Sequence, residues 1–440
     1  MVGTGEYATF YLRDGVIYGY GGSSLLLAQG TYQGLVIPPR PIDSPAGLKF
    51  ISVQSGLHQT MAIDATNHVW TWGEVDQGLQ GSGNDAAVGS VPYEVTTDVN
   101  GNPFDDIVWI EPSVANSASE QMYDVAIKKD GTVWIWGNAV NGLLGDGTAG
   151  GVLSKPTQVP LPVGVKITKA LGASMLVALT SDGDVYTWGS GQGNILGTGM
   201  TGATDGYTPQ KVVDLPSTIV DIAVGFGGFA YALTSSGELY GWGEGGGYLG
   251  LGSNDAGFYF PTPTPILLTS VLNLPDKVVS VVCDMLTTHV ILADGSLWGW
   301  GDDAMGMVGD GQELDYATQT PPYAWNFGQF DLPVWKPVRI APSVSNFKAV
   351  FAHAPFLFYD YALTTTGDLY SWGRNKTGTL GNGVYALAAN GNSGTSSNMS
   401  ATYPNSWDVT KATLVTPFAT PAKGENSPYC VANPDASACN

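Results

Sequence analysis

Short segments in which nearly every position is apolar, aromatic or glycine recur along this chain, and they share one template. Gly15-Val-Ile-Tyr-Gly-Tyr-Gly21, Asn67-His-Val-Trp-Thr-Trp-Gly73, Gly131-Thr-Val-Trp-Ile-Trp-Gly137, Gly183-Asp-Val-Tyr-Thr-Trp-Gly189, Gly237-Glu-Leu-Tyr-Gly-Trp-Gly243, Gly295-Ser-Leu-Trp-Gly-Trp-Gly301 and Gly367-Asp-Leu-Tyr-Ser-Trp-Gly373 all fit it. The fourth and sixth positions are aromatic, and the third and fifth are aliphatic or small. Side chains alternate faces along a strand, so each segment is apolar on both faces and needs a packed layer above and below. A repeat period of roughly fifty to seventy residues marks an array of supersecondary units.

The polar residues that interrupt this pattern place the neighbouring strands. The leading Gly or Asn usually follows Asp, Ser or Thr, as in Lys129-Asp-Gly131, Ser181-Asp-Gly183 and Ala293-Asp-Gly295, and supplies a hairpin turn with positive φ. Just upstream lies a fixed aliphatic residue (Leu12, Ile63, Ile127, Leu179, Leu233, Leu292, Leu363) that ends a second strand, such as Met175 to Leu179 or Phe229 to Leu233. Ile167 to Leu171, Ile219 to Val224 and Val278 to Cys283 read as a further strand before it. Pro156 to Val159, Pro209 to Val212, Pro263 to Ile266 and Pro337 to Ile340 read as a fourth strand after it. Four antiparallel strands per repeat, stacked around an axis, predict an all-β, seven-bladed β-propeller.

Together with the loops Leu144-Gly-Asp-Gly147, Leu196-Gly-Thr-Gly199, Leu249-Gly-Leu-Gly252, Val308-Gly-Asp-Gly311 and Leu380-Gly-Asn-Gly383, these segments resemble the repeats of the RCC1-like family, named for the regulator of chromosome condensation. Blade two degrades the loop to Gln80-Gly-Ser-Gly83, and blade one has no clear copy. The resemblance implies a propeller that recognises proteins through its loops. Closure is expected from the C-terminal stretch Ala412 to Val415. Gly5 stands seven residues before Leu12, as Gly172 does before Leu179, which suggests that the chain enters blade one after its first strand. The expected organisation is one ring over 1–415 and a C-terminal tail over 416–440.

Charge then narrows the partners. Lys and Arg total 17 against 38 Asp and Glu, a formal net charge of −21, which opposes attraction to nucleic acid and anionic lipid. No apolar run is long enough to span a membrane, so membrane insertion is not expected, and Met1 to Phe10 lacks the pattern of a signal peptide. Charged residues make up only 12% of the chain and glycines number 60, a composition closer to secreted or particle-surface proteins. Cys283 reads as a buried small hydrophobe, and Cys430 with Cys439 as a pair able to close a tail disulfide in an oxidising compartment.

Catalytic chemistry finds little footing. His58, His68, His289 and His353 have no partners at metal-ligand spacing, and the phosphate-loop, nucleophile-elbow and zinc-protease motifs are absent. Asp146, Asp302, Asp303 and Asp310 lie in loops but lack the spacing of an EF-hand. No catalytic residue, metal ligand or cofactor is therefore assigned.

Departures from the repeat carry the recognition hypotheses. The segments from Asn84 to Gln121, Gln312 to Pro337 and Tyr385 to Pro404 exceed the template. The second holds Tyr316, Tyr323, Trp325, Phe327, Phe330 and Trp335, a candidate aromatic contact surface for a protein or glycan. Phe258, Tyr259 and Phe260 are secondary candidates. The expected function is a non-enzymatic binding or structural module, on an extracellular or virion surface such as that of a bacteriophage, with incorporation in a larger assembly as one form of it. The alternatives are a secreted inhibitor and an intracellular RCC1-type regulator of a small GTPase, with a polysaccharide hydrolase or lyase as a further rival.

Overall fold

The computed structural model describes residues 2–5, 8–21, 27–28, 36–56, 59–73, 76–84, 89, 91–112, 122–191, 195–200, 205–225, 228–243, 248–251, 262–284, 286–301, 303, 306–311, 334–352, 359–373 and 409–414. They form seven separate four-stranded antiparallel sheets, each with strands in sequential order, arranged as a seven-bladed β-propeller. The template segments are the third strands: Val16–Gly21, Val69–Gly73, Val133–Asn138, Val185–Gly189, Leu239–Gly243, Leu297–Gly301 and Leu369–Gly373. Second strands run Ala8–Arg13, Gln59–Asp64, Tyr123–Lys128, Met175–Thr180, Phe229–Thr234, Thr287–Leu292 and Tyr359–Thr364.

First strands are Val2–Gly5, Phe50–Ser55, Ile107–Glu111, Ile167–Gly172, Ile219–Gly225, Val278–Cys283 and Phe347–Phe351. Each touches the first strand of the next blade, and the seventh returns to the first, so these strands surround the axis. The fourth strands form the perimeter: Val36–Pro41, Tyr93–Glu94, Val152–Gln158, Gly206–Lys211, Thr262–Leu267, Val334–Ile340 and Val409–Leu414. Perimeter strands present an open edge, and prolines at 38, 39, 41, 156, 209, 263, 265 and 337 remove the amides that would pair with another chain.

The two repeat signatures meet across the joints between blades. Trp72, Trp136, Trp188, Trp242, Trp300 and Trp372 are fully buried. The indole N–H of Trp136 donates to the Leu79 carbonyl at 3.0 Å, Trp188 to Leu143 at 2.8 Å, Trp300 to Tyr248 at 3.0 Å and Trp372 to Met307 at 2.8 Å. In every case the acceptor lies in the loop after the third strand of the preceding blade. The glycine of that loop lets the indole approach: a Cβ on Gly309, whose φ is +79°, would stand 2.7 Å from Trp372 Cδ1. Four joints are thus latched by an indole bonded to a loop of the preceding blade, and the hydrophobic clusters straddle joints accordingly.

The ring does not close as the sequence suggested. The four residues Val2–Gly5 are enough to make the first strand of blade one, pairing Val2 with Tyr11 and Gly5 with Ala8. Val409–Leu414 instead completes blade seven, Leu414 opposite Tyr370 and Val409 opposite Gly373. The alignment of Gly5 with Gly172 holds, but the residues in front of Gly5 were sufficient for a strand, and the edge left open was that of Leu369–Gly373. Blades seven and one are joined by side chains. Tyr20 replaces the repeat tryptophan, and its hydroxyl lies 3.1 Å from that of Tyr361. Thr9 Oγ1 lies 3.5 Å from the same phenol, and the Tyr359 hydroxyl donates to the Ala8 carbonyl at 3.3 Å.

These buried phenols make the closing joint base-sensitive. Burial pushes the Tyr20 hydroxyl up to about 12 and raises Tyr359 and Tyr361 as well. A phenol whose pKa is raised by folding contributes stability that is complete below the unfolded value of about 10 and is lost as pH climbs through the folded value. Tyr20→Phe is expected to lose about 1 kcal/mol at neutral pH with its hydrogen bond, and to flatten the decline in the urea midpoint between about pH 10 and 12. A variant as base-sensitive as the parent would exclude Tyr20 from the effect.

Candidate functional site at the axial opening

The inner strands of blades two to seven share an irregularity that an ideal strand would not have. In blade two Phe50 pairs with Asp64 and Ser52 with Ile63, leaving Ile51 as an extra residue with no opposite number. The same step skips Val108, Thr168, Val220, Val279 and Lys348 in the following blades. A β-bulge bends its strand and re-aims one side chain. Here the flanking positions are buried, as in Phe50 and Val53 or Ile219 and Ile222, while the bulged residue is turned outward. Ile51, Val108, Val220 and Val279 are consequently 50, 49, 55 and 54% exposed. Four of the six bulged positions on the strands around the axis thus expose an aliphatic side chain, an apolar collar interrupted by Thr168 and Lys348.

The next residue along is polar or aromatic in blades two to six: Ser52, Trp109, Lys169, Asp221 and Ser280. Lys169 Nζ bonds Asp221 Oδ1 at 2.6 Å and the Ile222 carbonyl at 2.9 Å, and stands 5.8 Å from the centre of the Trp109 ring. The Trp109 indole donates in turn to the Ala170 carbonyl at 3.0 Å. The inner wall from blade three to blade five is therefore pinned, and its one lysine at this position is neutralised. Close by in blade five, Ser236, Gly237, Glu238, Thr269, Asp276 and Lys277 line a recess of about 470 Å³. A rigid apolar collar beside carboxylates can receive an apolar protrusion with basic flanks.

Of the residues singled out from sequence, Tyr316, Tyr323, Trp325, Phe327, Phe330, Phe258, Tyr259, Phe260, Cys430 and Cys439 lie outside the described residues, as do His58 and His353. Trp335 falls within the outer strand Val334–Ile340, so its backbone belongs to the repeat rather than to an insertion. The stretch from Asn84 to Gln121 likewise contains the outer strand Tyr93–Glu94 and the inner strand Ile107–Glu111. Cys283 is a free thiol, buried as expected, and its pKa is raised by that burial. Asp303 accepts from the Val308 amide at 3.0 Å and Asp146 from the Thr148 amide at 2.9 Å, both serving their own loops. Among the described residues no three His, Cys, Asp or Glu side chains are grouped to hold a metal, and no helix is long and apolar enough to cross a membrane. The collar had a sequence signal that went unread: adjacent apolar residues open the inner strands (Phe50-Ile51, Ile107-Val108, Ile219-Val220, Val278-Val279), where only one of each pair is needed for burial.

Comparison with known proteins follows the same geometry. The family model described as the RCC1-like domain matches residues 2–412. The mitochondrial RCC1 domain-containing protein RUG3 of Arabidopsis thaliana is 33% identical over 258 residues, which is 57% of this chain and 52% of that protein. The human E3 ubiquitin-protein ligase HERC2 is 26% identical over 84% of this chain but only 7% of its own length. The chain thus spans about half of the first relative and a small part of the second. The ultraviolet-B receptor UVR8 of Arabidopsis thaliana is 27% identical over 76% of this chain and 67% of its own length. Among solved structures, Prp20p of Saccharomyces cerevisiae superposes with a TM-score of 0.68 at 22% identity, covering 93% of this chain and 88% of that one.

The mitochondrial relative RUG3 overturns the extracellular or virion-surface location read from composition. The compositional argument failed for a physical reason. Many of the glycines occupy positive-φ positions in the blade turns and loops, and the low charge reflects strands buried on both faces, so the propeller itself produces that composition.

Proposed function

This chain belongs to the RCC1-like domain family, and from that premise we propose that it is an intracellular, non-enzymatic regulator of the RCC1 type that binds a protein partner at its axial face. The observation that carries this reading is the collar of Ile51, Val108, Val220 and Val279, each about half exposed and held on a latched frame. Hot spots of protein interfaces are compact, rigid and apolar at the centre with a polar rim, and the collar has that character. Prp20p is described by its binding to Gsp1p and to histones, which supports a protein rather than a small-molecule partner. A net charge of −21 favours a partner with a basic surface and disfavours nucleic acid. A small GTPase is the partner class that the family resemblance implies. In the same proposal residues 1–415 act as one ring with 416–440 as its tail, and the aromatic segment from Tyr316 to Trp335 supplies a second contact area.

The test is differential capture from lysate of the source organism. Val220→Lys with Val279→Lys places ammonium groups where the partner would bury them, and burying an unpaired charge costs several kcal/mol, enough for about a tenfold or greater loss of capture. Val152→Lys, on a perimeter residue 54% exposed, should bind as the parent does. Equal recovery of the same protein by the parent and by the collar variant would refute the assignment.

A further inference from the structure

The seven joints are not chemically alike. At the five joints from blade three round to blade one, the second residue of a second strand faces the third residue of the corresponding strand in the preceding blade. At the joints of blades three with four and four with five these pairs are apolar, Val125 with Leu176 and Val177 with Ala230. From blade five round to blade one they are polar: Thr288 donates to the Tyr231 hydroxyl at 3.1 Å, His289 Nδ1 lies 3.5 Å from Asp360 Oδ2, and Thr9 meets Tyr361. His289 and Asp360 are fully buried, and neither His289 Nδ1 nor either Asp360 oxygen has a hydrogen-bond partner.

The proton count of this pair follows from its other neighbour. His289 Nε2 lies 3.2 Å from the Val308 carbonyl, which only accepts, so Nε2 carries the hydrogen. In the neutral imidazole Nδ1 is then a bare acceptor, aimed at a carboxyl group that is also an acceptor when ionised. Two buried acceptors cannot face each other unless a proton stands between them. We propose that His289 and Asp360 share a single proton across the joint between blades six and seven, and that its loss above neutral pH loosens this joint, making the arc from blade five to blade one a pH-responsive seam.

The surroundings agree with that count. Burial, reinforced by the charge of Asp284, drives the Asp360 carboxyl well above its ordinary range, while burial pushes His289 down to about 4 against the pull of the Val308 carbonyl. Asp284 itself is raised to about 6 by burial and accepts from the Thr287 hydroxyl and from the Leu286 and Thr287 amides. The Trp372 ring covers the imidazole at 5.2 Å. Cys283, Tyr231, Tyr359 and Tyr361 are all raised and stay neutral through the relevant range.

In an opened, hydrated joint the two groups regain ordinary values of about 6.5 and 3.9. Between about pH 4 and 6.5 the closed and open pairs each hold one proton, because the raised carboxyl offsets the depressed imidazole, and the pair itself contributes no pH dependence. Above about 6.5 the open pair holds none, and for as long as the raised Asp360 carboxyl keeps the closed pair's proton the equilibrium shifts toward open by about tenfold per pH unit. Asp284, raised to about 6, is mostly ionised at the start of that window and essentially fully ionised above about pH 8, where the slope belongs to the pair.

Hydrogen exchange followed by mass spectrometry from pH 6.5 to 9, corrected for the intrinsic exchange rate, reads the seam at residues 286–292 and 359–364 and the apolar joint at 175–180. The seam should open about tenfold more per pH unit in the parent, the apolar joint should not, and Asp360→Asn, whose amide donates to Nδ1 without titrating, should remove the slope. Equal pH dependence of seam and apolar joint, or a parental slope in Asp360→Asn, overturns the proposal. If that variant does not fold, nitrogen NMR of the parent decides: a protonated Nε2 with a hydrogen-bonded, acceptor Nδ1 on His289 supports the shared proton, and the opposite tautomer overturns it.

Discussion

Trp188→Ala is expected to lower the free energy of unfolding by about 3–5 kcal/mol, the cost of emptying a large buried aromatic site. Trp188 is fully buried among Val125, Leu143, Leu144 and Leu176, which come from two blades, so the loss falls on a joint as well as on a blade. The Leu143 carbonyl, which accepts the indole N–H at 2.8 Å, is left without that donor, and an unsatisfied buried carbonyl adds about 1–3 kcal/mol unless water reaches it. Equilibrium urea unfolding measures the total, and hydrogen exchange should locate the first opening in the loop around Leu143. A loss below about 1 kcal/mol would mean that the latch is dispensable and that the blades are held by their strands alone.

Gly309→Val attacks the same latch from the loop side at the joint of blades six and seven. At φ +79° a β-branched residue sits in the left-handed region, costing about 1–2 kcal/mol, and its Cβ would stand 2.7 Å from Trp372 Cδ1, adding about 1–3 kcal/mol of overpacking. Gly147→Val separates the two contributions. Its φ of +88° imposes the same backbone strain, but the nearest atom to a Cβ there is 3.9 Å away, so it should cost only the smaller amount. Urea midpoints that fall equally for both variants would remove the indole contact from the explanation. Combining Gly309→Val with Trp372→Ala should cost less than the sum of the single changes, because the clash disappears with the ring.

What the sequence disclosed was whatever the repeat repeats. Seven third strands, their turns and the strands beside them were legible because a segment apolar on both faces has few places to go. Closure was not, since periodicity is silent on whether the four residues Val2–Gly5 make a strand, and the pairing of Val2 with Tyr11 shows that they do. The collar was missed for a related reason: strict alternation describes a regular strand, and Val220 and Val279 are exposed only because a bulge breaks the alternation. The seam is visible only once blades are stacked, because His289 and Asp360 stand 71 positions apart and neither has a metal-ligand or catalytic neighbour in sequence. Reading location from composition went astray because glycine content and low charge belong to the architecture rather than to a compartment.

The central claim is that a protein partner sits on the axial face, and cross-linking mass spectrometry of the captured complex tests it most directly. Lys49, Lys166, Lys277 and Lys348 are exposed where the chain enters the inner strands, whereas Lys211 marks the perimeter. The account predicts partner cross-links concentrated on the first four lysines and suppressed by Val220→Lys with Val279→Lys. Cross-links confined to Lys211 and the outer strands, unchanged in that variant, would contradict it.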